Sequence, residues 1–141
     1  MNRLHAHLQA EEGYRRHPYV CTAGALTIGF GRNLESGGVS PVEADYLLAN
    51  DITRVEAELD RYLPWWRTVE PEARRSALVA MGFQLGIHGL LRFRKTLDFA
   101  SRGLWGRAAD EALDSNWARQ TPARALRVAD MLRTGRWPEE L

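Results

Sequence analysis

A chain of 141 residues, 45% hydrophobic and 26% charged with a net charge of +1, has the length of one domain and the composition of a globular one. That balance excludes a disordered or collagen-like polymer, and no apolar run is long enough to span a membrane. The charge is uneven: residues 1–70 hold 7 Lys+Arg against 10 Asp+Glu, while residues 71–141 hold 12 against 8. A basic C-terminal half suits an anionic polymer as partner, although a solvated helical surface reads the same way. Cys21 is the single cysteine, so no intrachain disulfide forms. The opening MNRLHAHLQAEEGY lacks the apolar stretch and cleavage site of a secretory signal, and synthesis as a soluble cytoplasmic protein is expected.

Residues 3–12 predict a short helix with Leu4 and Leu8 on one face, ended by Gly13. The run YRRHPYVCTAGALTIGFGRN then reads as a hairpin, with Thr22-Ala23-Gly24 as its turn. Leu26, Ile28 and Phe30 alternate with Thr27, Gly29 and Gly31, which predicts one apolar face and one small, polar face. Glycines on the second face let something approach the backbone closely. Residues 33–38 predict a loop. Ser40-Pro41-Val42-Glu43 is a capping box with proline at the first helical position, and Val39 is placed as a hydrophobic staple. Apolar residues at 44, 47, 48, 52, 55 and 59 share a helical face to about Tyr62. That helix would be roughly 33 Å long, enough to separate two lobes. Further helices are expected over about 72–85, stopped by Gly86, and near 93–102 and 105–114. A last one is capped by Thr121-Pro122 and ends near Gly135. Leu78, Met81, Leu85, Leu90, Phe93, Leu97, Leu113, Trp117, Val128 and Leu132 are the core candidates. Helix, small antiparallel sheet, long helix and helical lobe make an α+β layout.

The sharpest constellation is Glu12, Cys21 and Thr27. Glu12 ends a helix, the other two sit on the hairpin that follows, and a hairpin folded back over the helix end would gather all three. Cleaving a glycosidic bond needs a carboxylic acid to protonate the leaving oxygen. It also needs a polar group on the opposite face of the sugar to hold water. Glu12 suits the first task, Cys21 and Thr27 the second. His5, His7, His17 and His88 are scattered, and His5-x-His7 cannot share a helix face, so no metal site is expected. Trp65-Trp66 can stack on sugars or pack between the lobes.

E-x8-C-x5-T (Glu12, Cys21, Thr27), within EGYRRHPYVCTAGALTIGFGRN, resembles the catalytic motif of tailed-phage lysozymes akin to those of T-even phages. RRSALVAMGFQLG with LLRF, and NWARQTPARALRVADMLRTGRW, are similar to two further blocks of that family, in the same order. The resemblance implies a lysozyme-like fold: a hairpin lobe over about 13–40, a connecting helix over about 41–62, and a helical lobe over about 64–141 completed by helix 3–12. The cleft would lie between the lobes. It implies a muramidase that hydrolyses the β-1,4 bond between N-acetylmuramic acid and N-acetylglucosamine with inversion. Glu12 would be the general acid, and Thr27 would position water. Phe83 and Gln84 would line the cleft, Arg124 would pair with Glu12, and Trp117 and Gln120 would support the cleft wall. Arg32 and Leu34 are further substrate-contact candidates. Two departures stand out: Cys21 replaces an aspartate, as in other family members, and Arg32 stands where the T-even enzyme has histidine. A thiol has an ordinary pKa of about 8.5, and a nearby Glu12 would push that of Cys21 higher.

No cofactor is expected, nor nucleic acid, nor stable membrane association. The implied partner is peptidoglycan, met by a monomer that waits in the host cytoplasm until a holin releases it. Three rivals remain open. A cysteine peptidase or amidase would use Cys21 with His17. A binding module would use the basic half without cutting. A lytic transglycosylase would use Glu12 but leave anhydro ends.

Overall fold

The computed structural model describes residues 2–139. Helix α1 spans Arg3–Glu12, strands β1, β2 and β3 span Arg15–Val20, Leu26–Gly29 and Arg32–Asn33, and α2 spans Pro41–Tyr62. A short 3-10 helix, Pro64–Thr68, leads to α3 (Glu72–Leu91), α4 (Arg94–Ser101), α5 (Trp105–Leu113), α6 (Asn116–Gln120) and α7 (Pro122–Thr134). The α+β class read from the sequence is the one found. Two compact units divide the chain at residues 47 and 48.

In the first unit, Asn2 caps α1 by accepting a hydrogen bond from the His5 amide at 2.7 Å. Gly13 ends the helix, its N–H donating to the Gln9 carbonyl at 2.9 Å. The three strands pair antiparallel in the order β1-β2-β3, with Tyr19 opposite Thr27 and Thr27 opposite Asn33. The β1–β2 register breaks between Arg15 and Tyr19, where Pro18 has no N–H to give the ladder. Cys21 and Ala25 close the hairpin, the Cys21 amide donating to the Ala25 carbonyl at 3.0 Å.

Strand β3 replaces the beginning of the expected loop. The Leu34 amide continues its pairing by donating to the Leu26 carbonyl at 2.8 Å, and Asn33 Oδ1 then accepts from the Glu35 and Ser36 amides at 3.0 Å each. Two residues of strand carry too little periodicity to be read from sequence. The expected alternation of faces is also corrected. Thr27 is buried at 3% exposure, whereas Leu26 and Phe30 are exposed at 39% and 48%. Helix α1 falls in this first unit, and none of its residues is buried.

The capping box at α2 forms as expected. The Glu43 amide donates to Ser40 Oγ at 3.1 Å, and Glu43 Oε1 accepts from the Ser40 amide at 2.8 Å. Val39, placed as the staple, is 49% exposed. Along α2 only Val55 and Leu59 are buried.

The second unit holds the core. Leu59, Leu78, Met81, Leu90 and Leu132 are fully covered, and Leu97, Trp117 and Val128 are buried around them, with Leu85, Phe93 and Leu113 packed at the margin. The break expected at Gly86 is present as a non-helical residue (φ 74°, ψ 160°), after which the helix resumes to Leu91. A side chain at that φ would be strained, so glycine permits the change of direction. Helix α6 was not expected; Ser115 caps it by accepting from the Ala118 amide. Thr121 does not cap α7. Its hydroxyl donates instead to the Trp117 carbonyl at 3.0 Å, leaving Pro122 as the start signal. At the far end of α7, Arg74 of α3 donates to the carbonyls of Leu132 and Arg133 at 2.8 and 2.9 Å. A cation there satisfies terminal acceptors and complements the helix dipole. Among the described residues no single helix is long and apolar enough to cross a membrane.

Candidate functional site

Glu12 is the last residue of α1 and is exposed. Its carboxyl group is seated on the turn between β2 and β3. A Cβ on Gly31 would lie 2.8 Å from Glu12 Oε2 and 3.1 Å from its Cδ. Gly31 has a left-handed φ of 81°. The acid is thus presented at the end of a helix, over a strip of bare backbone. The close approach that the glycines of this strand suggest is made by the chain's own carboxylate.

Cys21 and Thr27 lie toward the other end of β2. The register pairs Tyr19 with Thr27 and Val20 with Leu26, and alternation then puts residues 19, 21, 25 and 27 on one face of the hairpin. Thr27 Oγ1 donates to the Ala25 carbonyl at 2.9 Å. In that orientation its lone pairs are left to accept from a water molecule, and rotation of the hydroxyl turns the same single proton to the Cys21 sulfur instead. The Cys21 thiol, partly exposed, is held below its ordinary pKa by hydrogen bonding from the Ala25 backbone first, then from the Thr27 hydroxyl and the Ala23 backbone. This reverses the expected rise. Donors to the charged form outweigh burial here, and a neighbouring carboxylate is not among the causes.

Arg32, a substrate-contact candidate, spends its guanidinium within the unit. Nη1 donates to Glu43 Oε1 at 2.9 Å and to the Gly38 carbonyl at 2.8 Å, and Nη2 donates to Glu43 Oε2. This fork ties β3 across the 33–40 loop to the first turn of α2. The same hydrogen bonds, Arg32 first and then the Ser40 backbone, hold the Glu43 carboxyl down at about 2. Leu34 is half-buried at the start of that loop.

In the helical unit the remaining candidates separate into two groups. Trp117 is buried, with its ring edge-on to Phe93 at 5.8 Å, and its Nε1 donates to Gln84 Oε1 at 2.9 Å. Trp117 and Gln120 line a cavity of about 670 Å³ that also presents Arg92, Lys95, Glu111 and Asp114. Phe83, 42% exposed, and Arg124 line a different cavity, of about 640 Å³, with Ile52, Met131 and Trp137. Adjacent positions on α3 point about 100° apart, so Phe83 and Gln84 serve different surfaces. Trp66, one of the tryptophan pair, is buried and donates from Nε1 to Asp60 at 2.7 Å. It is an interior residue rather than a sugar platform. Among the described residues no three His, Cys, Asp or Glu side chains converge as metal ligands.

Sequence reasoning missed Gly31 as the seat of Glu12 and Glu43 as the partner of Arg32. The alternation that sets Gly31 on the small face pointed to the first; no local signal pairs residues eleven apart across a loop.

A family model described as phage lysozyme matches residues 9–130. The chain is 28% identical over 156 aligned positions to the pre-baseplate central spike protein Gp5 of Enterobacteria phage T4, covering 91% of this chain and 27% of that protein. It is 37% and 39% identical over 62 positions to the probable T4-type lysozymes 1 and 2 of Dictyostelium discoideum, in each case 44% of this chain and 36% of the relative. The alignments thus span only about a quarter to a third of these relatives' lengths.

Proposed function

The chain belongs to the phage lysozyme family, and from that premise we propose that it is a glycoside hydrolase cutting the β-1,4 bond between N-acetylmuramic acid and N-acetylglucosamine in peptidoglycan. The observation that carries this reading is the placement of Glu12: an exposed carboxyl at a helix end, resting on the sheet that also bears Cys21 and Thr27.

In this reading Glu12 donates a proton to the leaving glycosidic oxygen as positive charge develops on the sugar. Thr27 accepts a hydrogen bond from the attacking water and turns an oxygen lone pair toward the sugar. Cys21, with its thiolate favoured by surrounding donors, takes the proton that the attacking water releases, in place of a carboxylate base, and solvent exchange restores the thiolate and the Glu12 acid for the next turnover. Attack from the face opposite the leaving group gives inversion. Phe83, Gln84, Trp117, Gln120 and Arg124 are proposed as further contacts of the helical unit with the polymer. Gln84 would act through its Nε2, since Trp117 occupies Oε1. A role in host lysis after holin-dependent release, as a monomer, is part of the same proposal.

Digestion of purified peptidoglycan by the wild type and by Glu12→Gln, with mass analysis of the fragments, tests the reading. New reducing ends from the wild type alone are expected, with a loss of about 10²–10⁴-fold in the variant. Retention of more than about a tenth of the rate would remove Glu12 from the mechanism, since acid catalysis supplies far more than that. Anhydro ends would make the enzyme a transglycosylase, and released peptides with intact glycan would point to Cys21 as nucleophile. In a companion pair, Cys21→Asp stays active and Cys21→Ala does not. Equal activity in the two would make Cys21 structural. The 91% coverage by a spike protein favours a second reading, in which the same chemistry is carried on a phage particle. Detection of the chain in purified particles rather than free in the lysate would establish it.

A further inference from the structure

Gly29 and Gly31 flank Phe30 in the turn from β2 to β3, and both have left-handed φ values, 68° and 81°. Their surroundings differ. A Cβ at Gly29 would meet nothing within 4 Å. A Cβ at Gly31 would meet three atoms of one side chain: Glu12 Oε2 at 2.8 Å, Cδ at 3.1 Å and Cγ at 3.4 Å. Backbone conformation therefore asks for glycine at both positions, but only Gly31 asks for it a second time, through the carboxylate lying on it. Glu12 is set from the other side by its own helix, which Gly13 terminates immediately after it.

We propose that Gly31 is a positioning residue for the acid catalyst: its missing Cβ is the seat on which the Glu12 carboxyl group rests at the height required for proton transfer. The proposal rests on the reading of Glu12 as general acid. It makes a claim that a purely structural glycine would not. The clashing atoms are the far end of a flexible side chain, so an added methyl group is accommodated by Glu12 swinging away, at little cost to folding beyond the backbone strain that Gly29 and Gly31 share. The cost falls on the chemistry, because displacing a catalytic group by about 1 Å lowers a rate by about 10²-fold. Gly29→Ala carries the backbone strain of a left-handed alanine without the displaced carboxylate, and serves as a matched control within the same turn.

The experiment measures kcat, KM and melting temperature for wild type, Gly29→Ala and Gly31→Ala on soluble uncrosslinked glycan strands. The expected result is similar melting temperatures for the two variants. Gly31→Ala should lose about 100-fold in kcat with KM little changed, and Gly29→Ala should keep kcat within about threefold, as strain alone leaves the acid in place. Equal kcat losses would overturn the proposal, as would a loss in Gly31→Ala confined to KM. Should either alanine variant fail to fold, Gly29→Asn and Gly31→Asn give the same comparison, because asparagine tolerates left-handed backbone and still carries a Cβ. Failure of the underlying reading has a different signature: Glu12→Gln as active as wild type, whatever Gly31→Ala does.

Discussion

Residues 48–139 bury nearly everything apolar that the chain covers, while among residues 2–47 only Thr27 falls below a tenth exposed. The helical unit is held by leucine, methionine, alanine and tryptophan packed around α3, an arrangement stabilised by area removed from water. The sheet unit is held by ladder hydrogen bonds, by the Asn33 turn, by the capping box and by the Arg32–Glu43 fork. The acid, the thiol and the buried hydroxyl all stand on the second kind of scaffold. The proposed catalytic groups are thus placed by directional hydrogen bonds, which fix geometry more sharply than a hydrophobic core does.

Core truncation sharpens this contrast most. Leu78→Ala, at a fully buried site, is expected to cost about 3 kcal/mol. Leu8→Ala, at a site 46% exposed, should stay within about 0.5 kcal/mol. Urea unfolding followed by circular dichroism measures both, and a comparable loss at Leu8 would break the comparison by showing that α1 has an apolar partner. Trp117→Phe keeps the aromatic volume and removes the hydrogen bond to Gln84. A loss of about 1 kcal/mol is expected, and no loss in the same unfolding assay would mean that water replaces the bond without penalty.

The Arg32–Glu43 fork gives a smaller, pH-dependent effect. The folded Glu43 carboxyl lies at about 2, below its unfolded value near ~4.3. The stabilisation is therefore present above the unfolded value and is lost as pH falls through about 2. Arg32→Met should melt below wild type at neutral pH, and the two curves should converge in strong acid. Parallel curves at all pH values would remove the linkage. Smallest of all, Thr27→Val removes one of the groups that lower the Cys21 thiol. The pH at which iodoacetamide alkylates Cys21 at half its maximal rate should move upward. An unchanged midpoint would leave the backbone donors as the whole cause.

Much of the fold was legible because it is written in local signals. Ser40-Pro41 and Glu43 mark the start of α2 at Pro41, Gly13 the end of α1 and Gly86 the break in α3, since caps and left-handed turns depend on a few adjacent residues. The helical periodicity from 72 onward identified the residues that fill the core, because one face of each helix must be covered. The spacing of Glu12, Cys21 and Thr27 named the candidate site through its resemblance to a family, with no need of coordinates. What only the tertiary structure decided is pairing across the sheet and between helices. Thr27 is buried while its neighbours on the same strand are not, and Cys21 is lowered rather than raised because backbone and hydroxyl donors reach it. Arg32 is committed to Glu43, Gln84 to Trp117, and the Glu12 carboxylate to the bare face of Gly31. Each of these depends on which group arrives from elsewhere in the chain. A sequence records the donors and acceptors available, and the fold determines which of them meet.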